Sequence, residues 1–398
     1  MNKQFLIVGA LAFIAAGAFA QSNTAYTDQS GAGSNTSNVD QVGSLNFSDV
    51  DQVNTMSAAD NNVSDVDQNG DENASTVIQN GAGYNYADID QDGFHNHNTA
   101  MSYGANNDIY VDQDGRYNLA FTHQVGDDNM ATTNQIGSNQ SWIKQYITTW
   151  NTDKSDGNIA TVDQTTTSIW GPKNMSWVRQ AGDYNEADVD QTGLSNESDV
   201  ASWGNYNEIV VLQVGDDNSA TTTQTGNSNT ATTQQRMFWA PAGIAEGNVS
   251  TVDQDGYKNR SIDRANGDDN TADIDQNGDW NRSHATSSGD MNSIKVDQND
   301  YKNDAWTYQT GDGNSADLYQ NGELNYSFIE QNGDLNSADV DQIGNDNDSY
   351  VDQNGNSNIA NTYQNGNMNL SDVEQYDNNN GAYTTQNGSG NTSYIYQA

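Results

Sequence analysis

Ten glutamines stand at equal steps of eleven residues: Gln298, Gln309, Gln320, Gln331, Gln342, Gln353, Gln364, Gln375, Gln386 and Gln397. A primary amide is neither a nucleophile nor a proton carrier. It offers two donors and an acceptor, which is the chemistry of stacked hydrogen bonds rather than of catalysis. Asparagines keep the same period at Asn303, Asn314, Asn325, Asn336, Asn347, Asn358 and Asn369, and glycines follow the glutamine column two places on at Gly311, Gly322, Gly333, Gly344, Gly355, Gly366 and Gly388. The unit reads QxGxxNx[A/S]x[V/I/L/T]xQ, as in Gln331, Gly333, Asn336, Ala338, Val340, Gln342.

The other reactive side chains do not gather into a site. The four histidines are scattered; His95 and His97 stand at strand spacing and could supply two metal ligands, but no third is evident, and they read as exposed side chains. Serine and threonine abound without a serine elbow or a fixed His/Asp set, so neither an enzyme nor a cofactor is expected. No EF-hand loop or glycine-aspartate calcium roll is present. Asp51, Asp67, Asp112, Asp163, Asp190, Asp253, Asp297, Asp341 and Asp352 each precede a column glutamine. These should point outward and stack into partial rows of like charge, a repulsion that salt screens, divalent cations bridge and acid relieves.

Spacing by two is the signature of the element that must hold these residues. In an extended strand Asn336, Ala338, Val340 and Gln342 share one face, while Ser337, Asp339 and Asp341 share the other. Each unit is then a seven-residue strand followed by a four-residue turn whose glycine supplies positive φ. Such a strand cannot bury its inner face alone. Two units should close one coil of about 22 residues, with coils stacked at strand spacing, small and aliphatic residues packed between two sheets, and each inward amide paired with its equivalent one coil away. The expected fold is an all-β solenoid of strand-turn-strand coils, cross-β in the manner of amyloid. An eleven-residue period also suits a right-handed coiled coil, but glycine in nearly every unit argues against helix.

The frame runs back to Gln29, and where glutamine is missing, Ser102, Ser202, Ala265 and Ser287 keep the column. About thirty-two units fill the chain and leave no separate globular domain. The spacing lengthens after Gln52, Gln145, Gln164 and Gln235, which places longer loops near 53–61, 146–157, 165–173 and 236–247. Pro172 and Pro241 fall in these loops, as do Trp150, Trp170 and Trp239, read as covers on the solenoid side.

Composition bounds the rest. Residues 1–20, with Lys3, an apolar run from Phe5 to Phe19 and the ending Ala18-Phe19-Ala20, read as a signal peptide, so that 21–398 is an exported array. No later run is long and apolar enough to span a membrane as a helix, so no further membrane insertion is expected. There is no cysteine, and the net charge of −42 with thirteen Lys and Arg makes nucleic acid and anionic lipid improbable partners. By charge and 33% hydrophobic content alone the chain would read as a disordered, cation-binding acidic matrix protein; registered inward columns give the opposite reading.

The unit QxGxxNxAxxxQ, with an export leader and no cysteine, resembles the curlin repeat of bacterial curli fibre subunits. The resemblance covers nearly the whole array, which is longer than that of familiar curlins. It implies an amyloid β-solenoid that assembles with copies of itself at the cell surface, together with a nucleating subunit and an outer-membrane secretion pore, into extracellular matrix serving adhesion and biofilm. A monomeric solenoid adhesin binding ice or another surface is the other reading, for which a continuous TxT column is lacking. Polymer growth is expected at the last coil, where the array reaches Gln397 and leaves sheet edges to be paired.

Overall fold

The computed structural model describes residues 22–31, 34–54, 61–81, 83–146, 155–166, 171–236 and 245–398. The signal peptide expected at 1–20, the tryptophans Trp150, Trp170 and Trp239, Pro241 and the centres of the four long loops lie outside the described residues. Among those described there is no helix, and thirty-three strands follow one another along the chain. Apart from the two-residue strand Ala245–Glu246, consecutive strands alternate between two parallel sheets. The first is sixteen-stranded and runs from Thr24–Gly31 to Gly381–Asn387; the second runs from Thr36–Ser44 to Thr392–Gln397. The coiled-coil alternative is excluded, and the β-solenoid of about sixteen coils is the fold.

The register is that of the sequence frame. Ser337 pairs with Ser315 and Ile359, and Ile359 with Gly381, each step being one coil of twenty-two residues. Insertions do not shift it: Gln135 still meets Gln164, Gln145 meets Gln180, and Gln224 meets Gln254. The extra residues sit between strands, so no ladder hydrogen bond is given up, and Pro172 is exposed just before the strand Asn174–Ala181.

Burial alternates as the pattern requires. In Ser337–Ile343, Ala338, Val340 and Gln342 are buried between partly exposed neighbours. The core is a stack of single layers, Val252, Ile274, Val296, Leu318 and Val340 on the first sheet above Ile329, Val351 and Val373 on the second. A coil therefore buries about two branched aliphatics and two small residues. That is little for twenty-two residues, and so the inward amides must be satisfied rather than merely tolerated.

The turns contain a feature the sequence reading missed. Gly333 adopts φ 113° as expected, but Leu335, two places on, is also left-handed at φ 59°. This second position recurs along the whole array with Leu45, Tyr184, Trp280, Met291 and Met368 among its occupants. Its φ near +60° is open to unbranched residues at modest cost but not to β-branched ones, and no Val, Ile or Thr appears among the positive-φ residues. That exclusion is the signal by which the position could have been found.

Candidate functional site: amide ladders and turn glycines

The recurring residues form six rows along the solenoid axis. Gln298, Gln320, Gln342, Gln364 and Gln386 stack on the first sheet, and Gln309, Gln331, Gln353, Gln375 and Gln397 on the second. Each glutamine Nε2 donates to the Oε1 of the next, at 2.8 Å from Gln298 to Gln320, 2.9 Å from Gln320 to Gln342 and 2.9 Å from Gln331 to Gln353. The second Nε2 hydrogen crosses the core to a main-chain carbonyl of the other sheet, from Gln298 to Arg282 at 2.9 Å and from Gln331 to Ser315 at 3.0 Å. Both amide hydrogens of each inner glutamine in these two rows thus have an acceptor, and each such glutamine ties coil to coil and sheet to sheet.

The asparagines work differently. Asn325 donates its main-chain N–H to Asn303 Oδ1 at 3.1 Å, and its Nδ2 reaches both that oxygen at 3.1 Å and the Gly344 carbonyl at 2.7 Å. The same holds for Asn347 with Asn325 and Gly366, and for Asn369 with Asn347 and Gly388. On the other edge Asn336 bonds Asn314 and Gly355, and Asn358 bonds Asn336 and the Asp377 carbonyl. Glutamine side chains donate toward the C-terminal coil and the asparagine N–H toward the N-terminal one, so the stack has a direction.

The glycines line the two turns. Gly322, Gly344, Gly366 and Gly388 follow strands of the first sheet, and Gly311, Gly333 and Gly355 those of the second; all have φ between 104° and 128°. A Cβ on Gly322 would lie 2.2 Å from the Gly344 carbonyl oxygen, and on Gly366 2.0 Å from that of Gly388. Glycine is therefore demanded twice, by backbone conformation and by the approach of the next coil. Asp300 and Asp377 enter this column only by drawing φ down to 77° and 73°.

The ladders have gaps where the sequence breaks the column. Ser102 sits between Gln79 and Gln124, Ser202 between Gln180 and Gln224, and Ala265 and Ser287 between Gln235 and Gln309. Ser102 and Ser287 reach the following glutamine at 3.4 and 3.3 Å, while Gln224 Oε1 above Ser202 is buried without a partner.

Electrostatics outside the core are uneven. On the second sheet Asp40, Asp67, Asp90 and Asp112 are successive partners, and burial with neighbouring aspartates raises the carboxyls of Asp67, Asp90 and Asp112. Asp253, Asp275 and Asp297 form a second row on the first sheet. Asp341 instead lies between Tyr319 and Tyr363, and Asp352 between Glu330 and Glu374. His95 is not on a strand as its spacing suggested: it is a left-handed turn residue, φ 58°, paired with Glu72 at 2.7 Å, while His97 opens the strand His97–Tyr103. Among the described residues no cluster of His, Cys, Asp or Glu is arranged to hold a metal ion.

One inward position breaks the pattern. Asp263 occupies the aliphatic column between Thr233 and Ala285, fully buried, with Oδ2 unpartnered. Burial pushes its carboxyl up from 3.8 to about 6, opposed by the Ser250 hydroxyl and the Arg264 amide. A folded pKa above the unfolded one means the penalty is absent below pH 3.8, grows as pH rises, and is complete above about 6, where it amounts to about 3 kcal/mol. Asp263→Val should therefore gain about that much stability at pH 7 and flatten the change between pH 4 and 6, measured by urea titration of freshly folded chain. Equal stability of the two chains at pH 7 would contradict this.

The comparisons agree with the geometry. A family model described as the curlin associated repeat matches residues 84–115, 104–137, 267–299, 303–333 and 311–344, and in the structure each of these segments is a run of stacked strands in the same frame. No curated protein matches the chain. The matched segments amount to about a third of the residues, and the amide ladders and turn glycines carry the same unit through the coils between and beyond them. Over these segments the chain is built of curlin associated repeats.

Proposed function

We propose that this chain is the structural subunit of a secreted, curli-like fibre that grows by stacking one copy on the next and supports adhesion and biofilm matrix. The observation that carries the reading is the match between the first and last coils. The strand Thr24–Gly31 carries Ala25-Tyr26-Thr27, Gln29 and Gly31, and Gly381–Asn387 with its turn carries Ala382-Tyr383-Thr384, Gln386 and Gly388 in the same places. On the second sheet Ser37, Val39 and Gln41 correspond to Ser393, Ile395 and Gln397. A second copy laid on the last coil thus continues every inward column, with Gln386 and Gln397 donating to its Gln29 and Gln41 as each glutamine donates within the chain.

The buried polar rows favour this use. A solenoid closed for life as a monomer gains nothing from end coils of identical inward chemistry, whereas a polymer needs them. Export from residue 21 onward rests on the leader pattern of residues 1–20, and an outer-membrane pore and a nucleating partner on the family resemblance; they complete the proposal. The test is dilution of the chain from Gln21 onward out of denaturant with thioflavin detection. Preformed fibres should abolish the lag, and growth at pH 7 should quicken between about 0.01 and 0.15 M salt as the Debye length falls from about 30 to 8 Å. A β-rich monomer that never polymerises would sink the fibre and leave the solenoid adhesin.

A further inference from the structure

Three of the chain's six arginines, Arg260, Arg264 and Arg282, lie on the outer face of the second sheet in the adjacent strands Arg260–Asn266 and Arg282–Ser288. Among the described residues none of the three makes an ion pair. Arg282 instead covers the Trp306 ring at 4.4 Å, Arg264 meets His284 Nε2 at 3.2 Å, and the ring stack continues from Trp306 through Tyr308 to Phe328. A flat cationic and aromatic patch on a chain of net charge −42 is built for an anionic partner that is itself flat.

That chemistry exists on the same sheet. The strands Val63–Asp71, Tyr86–Phe94 and Asp108–Arg116 present Asp65 and Asp88 in one outward row, Asp67, Asp90 and Asp112 in the next, and Asp92 and Asp114 in a third. From Tyr86–Phe94 to Arg282–Ser288 the pairing advances eight strands. Eight is half of the sixteen-coil array.

We propose that the arginine-aromatic patch of one copy docks on the aspartate rows of a second, so that two arrays lie with their second sheets face to face and staggered by half a chain. Turning the partner by 180° about the array axis runs its strands antiparallel to those they face. Arg282 then stands opposite the partner's Asp92 and Arg264 opposite its Asp65, since the arginines are the first and fifth residues of their strands and the aspartates the seventh and third of theirs. The contact neutralises two facing rows of opposite sign, and its repetition along the axis, though not the contact itself, rests on the fibre reading. At about 0.15 M salt the Debye length is about 8 Å, so the facing patches decide the outcome rather than the net charge.

The test is electron microscopy of fibres at that salt. The unaltered chain should give paired filaments, and Arg260→Glu/Arg264→Glu/Arg282→Glu should give single ones with unchanged thioflavin growth. Adding Asp65→Arg/Asp92→Arg to that chain should restore the pairs. Pairing that survives the arginine reversals would overturn the inference, as would loss of polygalacturonate binding in that variant with pairing intact, which would assign the patch to an acidic polysaccharide. If no fibres form, so that the fibre reading itself has failed, sedimentation decides: a dimer lost on arginine reversal upholds the contact, and a chain that stays monomeric in all variants refutes it.

Discussion

Gln320→Leu should destabilise the freshly folded chain by roughly 3 kcal/mol, although leucine is apolar, near in volume and enters a fully buried site. Gln320 accepts from Gln298 and donates to Gln342 and to the Asp304 carbonyl at 2.8, 2.9 and 3.2 Å. Leucine removes all three bonds and strands the Gln342 oxygen where no water reaches it. Leaving one buried group unpaired costs about 1–3 kcal/mol, so the loss exceeds what extra apolar contact returns. The measurement is a urea midpoint at unchanged slope. A change below about 1 kcal/mol would mean the ladder only fills space.

Gly322→Ala should cost more, about 4 kcal/mol, because backbone strain and collision add. Its φ is 123°, and the new methyl carbon would sit 2.2 Å from a main-chain oxygen that cannot yield without unstacking Gly344. Gly388→Ala separates folding from growth. In the single chain the nearest atom to a Cβ there is Asn391 Nδ2 at 3.8 Å, so only the strain of φ 104° remains and the monomer folds. Under the stacking of a second copy the same methyl meets the incoming Gly31 carbonyl, as each inner glycine would meet its neighbour. Gly388→Ala should then fold and fail to elongate from that end, with growth rate read by thioflavin on unaltered seeds. Elongation at the unaltered rate would contradict the stacking register.

Much of this architecture was legible because one period fixes two things at once. The eleven-residue return of glutamine set the register, and the two-residue steps from Asn336 to Gln342 set the inner face, so sheet pairing followed without any long-range guess. What stayed hidden depends on atoms that a period does not see. The left-handed residue at Leu335 is marked only by what is missing there, β-branched side chains. The asparagine ladder was read as amide on amide, whereas Asn325 spends its Nδ2 on the Gly344 carbonyl as well, a turn contact set by coil geometry. His95 and His97 looked like strand neighbours because the turn ends between them. Asp263 in an aliphatic column and the arginines gathered near Trp306 are single substitutions in a repeat, and repeats direct attention to what is shared.

Fibre diffraction of the product grown from dilute chain decides whether its coils stack along the fibre. Stacked coils give a meridional reflection near 4.8 Å and the two packed sheets an equatorial one near 10 Å. A product with no 4.8 Å meridional order, or with strands lying along the fibre axis, would contradict that stacking.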